Sequence, residues 1–233
     1  MNRNEARSAV ISAAKNAFTA KLFAGTSGNL SIRIPEENLV AITPTSVRYE
    51  TMTAEDIVLI DLDGEIVEGR YKPSSEWQMH LEVFRRMKTV NAVVHTHSPY
   101  ATAFAVVHRR IPQVLIEMIP FLGGDVPLAE YAPPGTLELG KSAVRALGND
   151  RFGCLMANHG VLTIGETIDQ AYLRAEYVED AAKICAYAEG LGKPILLPGK
   201  ESALKALQEP LSPPREFSNI LIEIGRASCR ERV

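Results

Sequence analysis

Asn91-Ala92-Val93-Val94-His95-Thr96-His97 (residues 91–97) is the stretch on which the fold and chemistry of this chain turn. The apolar run Ala92–Val94 predicts a buried strand. Alternate side chains on a strand share a face, about 6–7 Å apart. His95 and His97 can therefore reach one metal ion. A third imidazole, His159, lies in Asn158-His159-Gly160, between the apolar runs 153–157 and 161–164. Those runs predict two further strands, and the tight turn between them can aim His159 inward. Three histidines with an open fourth position are the ligand pattern of catalytic rather than structural zinc. The chain holds only five histidines, so three in these settings form a constellation. The competing reading makes His95 and His97 a hydrogen-bonded core pair and His159 a turn residue.

Outward from this stretch, residues 4–23 carry apolar side chains at helical spacing and predict an amphipathic helix ending before Gly25. Residues 30–34 and 39–42 read as neighbouring strands, and Thr53 caps a short turn over 54–56. Residues 57–61 and 66–68 form a hairpin around Asp63-Gly64. Ser74 or Ser75 is expected to cap a helix reaching Met87, with Trp77, Leu81 and Phe84 on its core face. Pro99 opens another helix, 111–132 reads as short strands and loops, Gly135 or Thr136 starts a third, and Thr167 caps a long fourth. On that last helix Glu176, Glu179 and Asp180 read as a solvated face. Hairpins mixed with helices imply an α/β class fold, a layered α/β/α domain with a largely antiparallel sheet.

Of 233 residues, 46% are hydrophobic and 23% charged, an ordinary globular balance that lets one large domain bury a core. No composition break marks a linker, so residues 1–223 are read as one domain. The net charge of -3, with no basic patch, argues against a nucleic-acid partner. No apolar run is long enough for a membrane span, and the N-terminus lacks a signal-like apolar segment. Three widely spaced cysteines, Cys154, Cys185 and Cys229, argue against a disulfide framework and for a reducing, cytoplasmic setting. Residues 224–233 lack any apolar period; they resemble a read-through of a sequencing adapter and are expected to be non-native.

Three hydroxyl-rich loops accompany the histidines. Gly25-Thr26-Ser27-Gly28-Asn29 precedes a strand and can point backbone amides into a concavity that holds an anion. Thr43-Pro44-Thr45-Ser46 is a second loop; Pro73-Ser74-Ser75 is a third, at a helix N-terminus where the dipole favours phosphate. Each alone reads as turn and cap chemistry, and the set points to a phosphate cradle without a lysine. Glu76 follows, either a dipole-favoured carboxylate or a general acid/base beside a metal. His80, one turn on, could orient Glu76, but packing or a surface hydrogen bond is favoured. His108, beside Arg109-Arg110, reads as surface.

These five motifs occur in one order over residues 25–160. Together they resemble the class II aldolase/adducin family, most closely its L-fuculose-phosphate aldolase-like members. The resemblance implies a three-layer α/β/α sandwich assembled as a homotetramer with active sites at subunit interfaces. It implies one Zn2+ per subunit held by His95, His97 and His159, and Glu76 as catalytic acid/base. Thr26, Asn29, Thr45, Ser46, Ser74 and Ser75 are implied to bind the phosphate of a ketose 1-phosphate, cleaved to dihydroxyacetone phosphate and an aldehyde. A pentulose-phosphate 4-epimerase, or a methylthioribulose-1-phosphate dehydratase, would use the same scaffold. A metal-free adducin-like assembly module would not need the histidines. The chain departs from the fuculose-phosphate pattern at Glu117, which stands where that pattern has a tyrosine reaching a neighbouring subunit. Glu117-Met118-Ile119 instead resembles the dehydratases, in which a glutamate serves as acid/base; an interface ion pair is the alternative role. No tyrosine follows Tyr187.

Overall fold

Short, mostly apolar runs, most of them buried on both faces, build an eight-stranded sheet in the computed structural model, which describes residues 1–199. Its strands are β1 (Asn29–Ile34), β2 (Leu39–Ile42), β3 (Val58–Asp61), β4 (Ile66–Glu68), β5 (Ala92–Thr96), β6 (Leu128–Ala129), β7 (Gly153–Met156) and β8 (Gly160–Gly165). They lie in the order β4-β3-β2-β1-β5-β8-β7-β6. Every pairing is antiparallel except β6 with β7. The fold is thus α/β with a largely antiparallel central sheet, as expected from the sequence. Residues Met1–Leu197 form one compact unit. The suspected tail at 224–233, and the boundary at 223, lie outside the described residues.

Both faces of the sheet are covered. Leu30, Ile32 and Ile34 of β1, with Ala92 and Val94 of β5, pack against α1 (Arg3–Thr19) and the first half of α5 (Ile168–Leu191). The intervening residue Val93, with Val40 and Ile42 of β2 and Leu162 and Ile164 of β8, packs against α2 (Trp77–Arg86) and α4 (Leu137–Leu147). A third cluster joins α3 (Pro99–Val106) to the second half of α5. The period of two along each strand therefore sorts side chains between two helical layers. Among the described residues no helix is long and apolar enough to cross a membrane.

Three local expectations are corrected. The helix after Pro73 begins at Trp77, with Glu76 at its N-cap; Ser74 Oγ accepts the Glu76 N–H at 3.3 Å but neither serine caps the helix. The segment 111–132 contains a π-helical turn, Met118–Leu122, besides the short β6. Met118, Ile119 and Leu122 are buried, and Gly123, at φ +81°, ends the turn; Pro120 hid this helical period in the sequence. Finally, Glu179 is not on a solvated face. Its carboxylate accepts the backbone N–H groups of Tyr100 and Ala101 at 3.0 and 2.9 Å. Ser98, the residue at the start of α3, makes no side-chain cap, so Glu179 satisfies that helix end from a distance. Replacing Glu179 by Ala is expected to cost about 1–2 kcal/mol of stability, read as a lower midpoint of urea unfolding with an unchanged slope.

Candidate active site

Antiparallel pairing of β1 with β5 sets Asn29 opposite His95. Asn29 and Ser31 alternate with the core residues Leu30 and Ile32, so they share the sheet face covered by α2. His95, two residues beyond Val93, lies on that same face. Glu76 at the N-cap of α2 and His80 one turn along it project toward the sheet from the other side. The β7–β8 turn brings His159 in from the next strand pair. Asn158 holds that turn with a left-handed φ of 55°, and its N–H bonds to Ala105 O at 3.2 Å. At Gly160, an added Cβ would lie 2.3 Å from Thr96 O and 3.1–3.2 Å from the rings of His97 and His95. Only glycine lets β8 approach the histidines so closely.

The three imidazoles converge as expected. Their candidate ligand nitrogens all lie within 4.8 Å of one another, and the ring centroids are 4.8–5.0 Å apart. His97 stands one residue past the end of β5, its N–H bonded to Leu22 O at 3.1 Å. The chain's departure from strand geometry there swings its ring to within 2.9 Å, Nε2 to Nε2, of His95. His95 Nδ1 donates to Val161 O at 2.8 Å, which turns Nε2 toward the centre. Glu76 closes the group: Oε2 is 3.0 Å from His95 Nε2 and Oε1 is 3.3 Å from His159 Nε2.

The charges at this cluster are strongly coupled. Burial works against charge on Glu76, but His95 and His159, with the amide of Asn29, outweigh it and hold the carboxyl well below its usual range. Burial likewise opposes charge on His95, yet the adjacent Glu76 and the Val161 carbonyl raise its pKa. Burial, then repulsion from His95, pushes His97 down to about 3 and His159 down to about 4. A proton is thus favoured on His95 and disfavoured on His97 and His159, which leaves the last two as lone-pair donors. Two buried polar atoms, Glu76 Oε1 and His159 Nδ1, have no hydrogen-bond partner among the described residues. Converging imidazole lone pairs beside a buried carboxylate are the donor set of a divalent cation, so the residues present fit one.

The hydroxyl loops lie beside this centre. Leu30 N–H bonds Thr43 Oγ1 at 3.2 Å, and Ser74 N–H bonds Thr43 O at 2.9 Å, which ties all three loops together. Tyr49 donates to Gly28 O at 2.7 Å and pins the glycine turn, where Gly28 has φ +76° and a Cβ would strike the Phe23 ring. The side-chain hydroxyls of Thr26, Thr45, Ser46 and Ser75 make no hydrogen bonds among the described residues. Asn29 differs: its Nδ2 donates to Glu76 Oε2 at 2.9 Å and its Oδ1 faces His80. Glu117, partly buried at the start of the π-helical turn, makes no side-chain hydrogen bond or ion pair among the described residues and is not in the histidine group. His80 is fully buried and not a surface residue. Its participation was signalled in the sequence only by the i+4 spacing from Glu76. His108 is exposed, as expected, and Cys154 is inert core, its thiol pushed up to about 12 by burial. Glycine 160 yields a direct test. The substitution Gly160→Ala is expected to displace the turn and lower bound metal to well below stoichiometric, measured by elemental analysis of purified protein.

A profile of the class II aldolase and adducin N-terminal domain matches residues 8–186. A 5-deoxy-D-ribulose 1-phosphate aldolase of Bacillus thuringiensis is 40% identical over 195 residues, covering 84% of this chain and 91% of that protein. An L-fuculose phosphate aldolase of Methanococcus vannielii is 39% identical over 167 residues, covering 72% and 88%. A solved L-fuculose 1-phosphate aldolase superposes with a TM-score of 0.82 at 37% identity, covering 88% of this chain and 95% of its own. The chain belongs to the class II aldolase/adducin family and, by its fold and its similarity to these lyases, is a class II aldolase.

Proposed function

We propose that the chain is a zinc-dependent aldolase that splits a ketose 1-phosphate into dihydroxyacetone phosphate and an aldehyde. The observation that carries this reading is the convergence of His95, His97 and His159 with Glu76 in one buried cluster. Held by the three imidazoles, a divalent cation supplies Lewis-acid polarisation of the substrate's carbonyl and neighbouring hydroxyl oxygens. Glu76 carries the proton step. As an ionised carboxylate it can take up and return a proton, and its place beside the imidazoles puts it next to the carbon that gains a proton when the bond breaks. Free hydroxyls on Thr26, Thr45, Ser46 and Ser75, with Ser74 and Asn29 nearby, form the phosphate cradle. The dipole of α2 favours the phosphate charge there.

The relatives act, by name, on 5-deoxy-D-ribulose 1-phosphate and on L-fuculose phosphate, so a pentulose or hexulose 1-phosphate is the substrate class. A homotetramer with sites at subunit contacts belongs to the same proposal. In it, the unengaged carboxylate of Glu117 serves as acid/base for the leaving aldehyde in a neighbouring subunit's site, and the protein works in the cytoplasm as one domain spanning residues 1–223.

Incubation with L-fuculose 1-phosphate and with 5-deoxy-D-ribulose 1-phosphate, each with added zinc, is expected to release dihydroxyacetone phosphate. Inversion at one carbon, or loss of water without aldehyde, would replace this reading by epimerase or dehydratase chemistry. Chelation with EDTA should abolish turnover and zinc should restore it. Glu76→Gln should retain metal while kcat falls by about 10²-fold or more; His95→Ala or His159→Ala should lose both metal and turnover. Wild-type turnover in Glu76→Gln would end the proton-transfer assignment.

A further inference from the structure

We infer that His80 is a positioning residue that fixes the side-chain amide of Asn29 so that an N–H, and not an oxygen, faces Glu76. The inference rests on the proton-transfer role proposed above for Glu76. Four buried side chains form a single file from the sheet to that carboxylate. Ser31 Oγ lies 2.6 Å from His80 Nδ1, His80 Nε2 bonds Asn29 Oδ1, and Asn29 Nδ2 lies 2.9 Å from Glu76 Oε2. Ser31 and His80 have no exposed surface, and Asn29 and Glu76 retain 5% and 6%. Water therefore does not substitute readily for any link.

Chemistry gives this file one polarity. A carboxylate only accepts, so the amide must turn its NH2 toward Glu76. Its oxygen then faces His80 and needs a donor, which places the imidazole hydrogen on Nε2. Nδ1 is left as an acceptor and takes the hydroxyl hydrogen of Ser31. A neutral ring satisfies both ends, and complete burial keeps His80 neutral, pushing it down to about 3. The two ends of an asparagine amide are nearly alike in shape, and neighbours alone decide which way it points. Without the Nε2 donor, Oδ1 loses its only partner in the file and the Asn29 side chain is free to rotate away from Glu76. Glu76 would then lose the N–H that holds it on its line between the histidines and the substrate carbon. Geometry supports the assignment independently. The β1–β5 register places Asn29 opposite His95, and the i, i+4 spacing on α2 stacks His80 behind Glu76.

The test uses two readouts on the zinc-loaded enzyme. In protein with ¹⁵N-labelled histidine, long-range ¹H–¹⁵N correlation is expected to show His80 as the neutral Nε2–H tautomer; an Nδ1–H tautomer or an imidazolium would overturn the inference. The second readout is exchange of the C3 hydrogen of dihydroxyacetone phosphate with D2O, a half-reaction that follows the proton step of Glu76 without the aldehyde. His80→Leu should slow this exchange about 10- to 100-fold with zinc content and KM within about twofold of wild type. His80→Gln, whose amide can return an N–H toward Asn29, should recover most of the rate. Wild-type exchange in His80→Leu, or equal loss in both variants, would overturn it. If His80→Leu does not fold, the tautomer in the wild-type protein still decides. Absence of exchange in the wild-type enzyme would instead remove the aldolase reading, and the tautomer measurement stands apart from that result.

Discussion

The pairing of β1 with β5 that sets Asn29 across from His95 is the constraint on which the site depends. A strand's side chains alternate strictly, so a one-residue slip would turn every polar group of β1 into the core under α1 and every apolar one toward α2. The register is held by Leu30, Ile32 and Ile34 on one face, all essentially without exposure. Hydrophobic burial worth roughly 1.5–3 kcal/mol for each such side chain thereby positions Asn29 and Ser31, which contribute little to that core. Packing on one face of the sheet thus fixes the chemistry on the other.

A second consequence concerns charge. A buried carboxylate with no partner is expensive, and bare imidazole lone pairs facing one another are unfavourable. The cluster relieves both costs by sharing: Glu76 favours a proton on His95, while burial, and then His95, disfavour one on His97 and His159. A divalent cation at the imidazoles would take over the same electrostatic role. Glu76 would then be released from pairing with His95 and His159, and the asparagine link would be its remaining fixed contact. The side chain that pairs with the imidazoles is therefore the one with freedom to act once a cation binds.

Much of this was legible in the sequence because it obeys short periods. The run through His95, the turn at His159 and the strands around them follow alternation, and the caps of α4 and α5 at Thr136 and Thr167 follow local hydrogen-bonding rules. Features that depended on contact between distant segments were not legible. Glu179 caps α3 across a gap of 79 residues to Tyr100, so its helix face alone gave no sign of a partner. His80 reaches Asn29 and Ser31 on a strand some 50 positions earlier, and only the spacing to Glu76 hinted at more than packing. The π-helical turn at Met118–Leu122 was masked because Pro120 speaks locally against a helix while burial against α5 requires one.

The same distinction separates reaction type from substrate. The histidines and Glu76 sit at strand ends, in the β7–β8 turn and at a helix N-cap, where register and packing leave each side chain little choice. The groups proposed to meet the substrate are loop hydroxyls on Thr26, Thr45, Ser46 and Ser75, which the described residues leave unbonded. Such hydroxyls can accept or donate to almost any phosphate or polyol, so they define a class of ligand and not one member of it. Selection among ketose phosphates then falls to whatever lines the far end of the substrate. In the reading proposed above Glu117 is the candidate: its carboxyl, without a side-chain partner among the described residues, can both recognise a hydroxyl and exchange a proton with it. An enzyme that keeps its three histidines and Glu76 while changing that one position would keep its bond-breaking chemistry and alter which aldehyde it releases.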